Sequence, residues 1–211
     1  MVYGRDRQAV FFVTLIILII IAAGLVLSGC SITGNAVFED TLKKIDEIDS
    51  RHGISIQDYS SGVSHFRYNP RFPDPLNAGE VDSVVQEFRA LESGLENGSA
   101  SMLLVKARED LLLSEKFYKL GTKTKKGLTS SGFRCSNEVF IRAATHNLKM
   151  SVGHGREAVE NLDIITREYP EKAERINISM FWVKQLNMTY GFLEDDAIKN
   201  QRTFDRICGN D

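Results

Sequence analysis

The sequence predicts an all-α protein. It starts with a transmembrane or signal-anchor helix, followed by an extracytoplasmic helical bundle of two antiparallel hairpins plus an irregular aromatic and proline strap. Three observations predict this. Residues 9–27, AVFFVTLIILIIIAAGLVL, carry no charge. The chain has only four prolines, and three of them (Pro70, Pro73, Pro75) lie together, so long stretches are free to be helical. In those stretches apolar residues recur every three or four positions, the period of a one-sided helix. With 43% hydrophobic and 26% charged residues, the part beyond the anchor can bury a core. The expected organisation is an anchor over 1–30, a linker over 31–37 and a helical domain over 38–211.

The apolar run of residues 9–27 is long enough to span about 28 Å as a helix, close to the hydrocarbon thickness of a bilayer. A core helix of a soluble domain would show a polar face, and this run has none. Arg5 and Arg7 precede it, so the rest of the chain is expected to face outward. Two anchors fit. One is a retained transmembrane helix. The other rests on Leu27-Ser28-Gly29-Cys30, which resembles the lipobox of lipoprotein signal peptides. That resemblance implies cleavage before Cys30 and an acyl group on its thiol. In both cases membrane lipid is the first expected partner, through residues 9–27 or through Cys30.

The elements follow in order. Residues 31–37, SITGNAV, form a short small-residue linker. Phe38, Leu42, Ile45 and Ile48 set a helix over 38–52, with Gly53 as its stop. Residues 54–77 lose the helical period, and Tyr59, Phe66, Tyr68 and Phe72 alternate with polar residues. This segment is expected to be an extended strap over the helices. Val81, Val84, Val85, Phe88 and Leu91 define a helix over 79–93, and GLENGS at 94–99 breaks it. Leu104, Ala107, Leu111 and Tyr118 define the next helix, from Ala100 to Leu120, with Gly121 ending it and a lysine-rich loop to 134. The first arm of the second hairpin starts after Ser136, along Ile141, Ala144, Leu148, Val152, Val159 and Leu162. Gly153-His154-Gly155 in this arm implies a kink, a split into two helices, or a close approach by a neighbouring helix. Tyr169-Pro170 breaks the chain, and the second arm runs from Glu171 towards Arg206, with Trp182 in the core.

Cys135 precedes Pro170 by 35 residues and Cys208 follows it by 38. A hairpin turning at Pro170 brings both to one end, where an outward compartment permits a disulfide. Closing such a loop stabilises by roughly 4 kcal/mol in the chain-entropy account. Asn97, Asn177 and Asn187 open acceptor triplets for N-glycosylation; Asn97 lies in a turn, while Asn177 and Asn187 fall in the expected last helix.

The chemistry of the chain is sparse. No glycine-rich phosphate loop, HExxH, GxSxG or CxxC is present, so no enzyme class is indicated and no cofactor is expected. His146, Met150 and His154 share a helical face, but the outer two lie about 12 Å apart along a straight helix, too far for all three to hold one ion, so a metal would need an adjacent pair plus a residue from elsewhere. Glu194-Asp195-Asp196 reads as a solvated face, and the lysines around 116–126 as the cationic end of a helix with a solvated loop. The net charge of −2 gives no field that would draw nucleic acid. The expected function is a structural or protein-interaction module at the cell surface, with another cell-surface protein as partner. The alternative is a small-ligand-binding lipoprotein with a pocket under the 54–77 strap, lined by Tyr59, Phe66, Tyr68 and Phe72. A hydrolase of envelope polymers is a third class.

Overall fold

The computed structural model describes residues 34–54, 78–131 and 138–208. Every element in them is α-helical, as the periodicity predicts. Helix α1 covers residues 34–51, α2 Ala78–Glu92, α3 Ala100–Ser131, α4 Glu138–Glu168, α5 Pro170–Arg175 and α6 Met180–Cys208. Among the described residues no helix is long and apolar enough to cross a membrane. The proposed anchor at 9–27, Cys30, Cys135 and the strap aromatics Tyr59, Phe66, Tyr68 and Phe72 lie outside the described residues.

The chain divides into two units, Met1–Thr41 and Leu42–Asp211. In the first, residues 34–37, expected in the linker, are already helical, and the Thr41 hydroxyl donates to the Val37 carbonyl at 2.8 Å.

In the second unit consecutive long helices run antiparallel, and the ionic and small-residue pairs show the register. Arg89 meets Glu109 and Asp82 meets Lys116 across α2 and α3. Asp110 meets His154, and Ser114 meets Ser151, across α3 and α4. Arg156 meets Glu194 across α4 and α6. Helix α3 is the inner one. From Ser101 to Glu115 nearly every side chain is buried, because it is flanked by Asp49 at the end of α1, by α2, by α4 and by Tyr190 of α6. Its apolar residues therefore occupy all sides, which is the pattern of a helix buried all round.

The helix ends follow local chemistry. Gly53, at φ 66°, closes α1, with the Ile54 N–H reaching the Asp49 carbonyl at 2.7 Å. Ser99 caps α3 by accepting from the Met102 N–H, and Ser179 caps α6 by accepting from the Trp182 N–H.

Two helix boundaries differ from expectation, and one open choice is decided. Gly121 does not end α3, which continues to Ser131. Gly121 is buried, and a methyl group in its place would come within 2.9 Å of the Leu148 side chain, so it is there to let α4 approach. The second arm of the last hairpin is not one helix. It breaks after Arg175, where Asn177 adopts φ 56° and the Ile178 N–H bonds back to the Ala173 carbonyl. Asn177 therefore lies in an exposed turn and not in a helix. Finally, Gly153-His154-Gly155 does not split α4. The Tyr190 ring lies where a Cβ on Gly155 would be, 2.1 Å away, so the close-approach reading holds.

Candidate functional site

Helix α6 presents two apolar faces. Val183, Leu186, Tyr190, Leu193 and Ala197 point inward and are buried. Phe181, Met188 and Phe192 point outward and are 65%, 53% and 59% exposed. Spacings of seven and four residues place those three within an arc of about 40° on the helix. The row begins at an open hollow of about 520 Å³, formed where α5 turns into α6, with Phe181 and Trp182 on its rim. Trp182 itself is buried, as expected of a core residue. Val139 and Phe140, at the start of α4, are also exposed. Scattered exposed apolar residues are ordinary, but these three large ones stand in line on one helix.

The side behind this row is held by polar groups inside the fold. Tyr190 packs into the notch left by Gly155, and its hydroxyl lies 3.2 Å from the Ser114 Oγ. Ser114 in turn donates to the Ser151 carbonyl at 2.8 Å. Burial pushes the Tyr190 phenol up to about 12. Further along α3, Arg108 donates to the Asp49 carboxylate at 2.8 Å, and both side chains are buried. Burial holds the Asp49 carboxyl above its usual range, with the guanidinium pulling the other way. Removing one member of such a pair typically costs about 3–5 kcal/mol, because the other charge is left buried. Leu42, Ile45, Leu104, Leu162 and Trp182 surround a cavity of about 60 Å³ next to Arg108. That volume is far below the roughly 300 Å³ a small-molecule site needs.

Four of the ten sequence-predicted site residues, Cys208, Asn97, Asn177 and Asn187, lie within the described residues. Cys208 ends α6, half-buried against Ile141 and Phe204 near the start of α4. That is the end of the hairpin to which Cys135 leads by sequence. Asn97 is exposed in the α2–α3 turn, and Asn187 is exposed on α6 beside Met188. His146 is exposed, while Met150 and His154 are half-buried. His154 turns to α3, where its Nδ1 lies 3.0 Å from the Asp110 carboxylate and its ring stacks on Phe117. Glu194 pairs with Arg156, and Asp195 and Asp196 face solvent. Lys116 and Lys119 pair with Asp82 and Glu115.

No family model, curated protein or solved structure matches this chain. The Asp49–Arg108 pair and the Ser114–Ser151–Tyr190 group are absent from the sequence-based reading. A faint signal for the first was available: Arg108 sits one turn after Leu104 and three residues before Leu111, beside the apolar seam.

Proposed function

We propose that this chain is a membrane-anchored, outward-facing helical protein that serves as a structural or protein-interaction module at the cell surface. In this reading residues 9–27 or an acylated Cys30 tether it. The antiparallel helices, with the 54–77 strap, make an extracytoplasmic bundle that displays α6 sideways. The contact surface is the outer face of α6. The observation that carries the reading is the exposed row Phe181, Met188 and Phe192. Covering such side chains releases roughly 25 cal/mol for each Å² of apolar surface taken from water. Anchors at i, i+7 and i+11 suit a partner that lays its own amphipathic helix alongside. Lys184 and Asp195 flank the row, giving it the polar rim of an ordinary interface. The partner in this reading is another cell-surface protein.

A photo-crosslinking side chain in place of Met188, in the full chain in its own membranes, tests the proposal. The same group at Glu47, exposed on α1, is the control. The expected result is one adduct of defined mass from position 188 and none from position 47. Phe181→Ser with Phe192→Ser should abolish it. Equal labelling at both positions, or an adduct with a second copy of this chain, would overturn the assignment.

A further inference from the structure

The geometry points to a divalent metal site between α3 and α4, built from Asp110, His154 and Glu157, for an ion of the zinc class. One ligand atom from each lies within 4.8 Å of the others. His154 and Glu157 are one turn apart on α4 and so share a face, while Asp110 reaches them from α3. The separation of 3.0 Å between His154 Nδ1 and the Asp110 carboxylate is close to the ligand-to-ligand edge of about 3.3 Å around a tetrahedral ion with 2.0–2.1 Å bonds.

The donor set selects the ion. One imidazole and two carboxylates suit zinc and its neighbours, whereas calcium and magnesium take oxygen ligands alone. The imidazole is oriented before any ion arrives, since the Phe117 ring stacks on it, nearly parallel, at 5.7 Å between centroids. Both His154 and Asp110 are half-buried, so neither needs to be drawn from bulk solvent into place.

The surroundings favour a cation. Asp110 and Glu157 line an open groove of about 420 Å³ together with Glu92, Glu109, Glu160 and Lys106. Lys106 lies 3.4 Å from Glu92, and Arg89 lies 2.8 Å from Glu109. Among the described residues no ion pair engages Glu157 or Glu160. The groove therefore keeps a net negative field after its own cations are counted. Three protein ligands leave a fourth position open to water or to a partner's side chain.

The test is calorimetric titration of Zn²⁺ into the full chain, purified in detergent without a histidine tag and stripped with chelator. The expected result is about one ion per chain, with affinity falling at least tenfold in His154→Asn. His146→Asn, two turns away on the same helix, should bind as the parent does. Because His154 also bonds to Asp110, its variant is paired with Glu157→Gln, whose exposed side chain leaves the packing untouched. Glu157→Gln should likewise lose affinity, and should lose the rise in unfolding temperature that zinc gives the parent. No heat above dilution in the parent, or equal binding by parent and Glu157→Gln, would overturn the site.

Discussion

Gly153 and Gly155 stand two residues apart on α4 and have opposite roles. A Cβ on Gly153 meets nothing within 4 Å, whereas a Cβ on Gly155 would overlap the Tyr190 ring. Gly153→Ala should therefore stabilise, by about 0.5–1 kcal/mol, through the lower entropy of the unfolded chain. Gly155→Ala should destabilise by about 1–3 kcal/mol, because Tyr190 must leave its slot and its approach to Ser114. Urea unfolding of the two variants checks this, and equal shifts would mean that the close approach of α4 and α6 is not tight. Glu115 gives a second prediction at the same scale. Its side chain is 4% exposed, and burial pushes its carboxyl up to about 7, although the Lys119 ammonium lies 2.9 Å away. The folded chain then holds this proton more tightly than the unfolded chain does. Its stabilising effect is complete below the unfolded value of 4.5 and is lost as pH rises through about 7. The loss is at most about 3 kcal/mol. Glu115→Gln should flatten the stability profile over that window and be the more stable chain on its alkaline side. Urea midpoints on either side of the window decide it, and parallel profiles for the two chains would show that Lys119 fully compensates the buried carboxylate.

At the scale of elements, the sequence is legible where burial is one-sided. Residues 79–93 were predicted as a helix and Ala78–Glu92 form one, because Val81, Val84, Val85 and Phe88 make a single buried stripe. The α4 seam from Ile141 to Leu162 is buried at every predicted position. Legibility fails where a residue answers to a distant neighbour. Gly121 looks like a stop in its own segment, yet Leu148 of another helix decides its role. The break at 176–179 looks like uninterrupted helix, since nothing local outside Asn177 and Ser179 opposes it. The candidate surface is half legible for the same reason. Helix α6 carries apolar residues on two faces, and the sequence does not reveal which face other helices cover. Trp182 is buried while Phe181, its neighbour, is exposed. His154 and Glu157 can be paired by their spacing. Asp110 lies 44 residues before His154, and only the antiparallel packing of α3 on α4 brings it there.

At the scale of the whole molecule, the proposed anchor and the proposed Cys135–Cys208 staple are linked by one piece of chemistry. If residues 31–211 face outward, they sit where thiols oxidise, and Cys135 and Cys208 form a pair there. The structure leads α6 back to the start of α4, where Cys208 packs on Ile141, six residues after Cys135. A bond there closes the long loop of both helices, and loops of that size give the larger entropic stabilisation, roughly 4 kcal/mol. The same pair in a reducing compartment would gain nothing. The anchor therefore predicts the redox state, and both are read in one intact-mass measurement of the chain extracted from its own membranes without reductant. The expected mass is about 2 Da below that of the reduced chain, and it includes either residues 9–27 or an acyl group on an N-terminal Cys30. The first form means a spanning helix and the second a lipid anchor. A chain lacking both, or one that retains the anchor with both thiols free, would break the link between topology and staple. The outward orientation would then have to be abandoned before the interaction surface is pursued further.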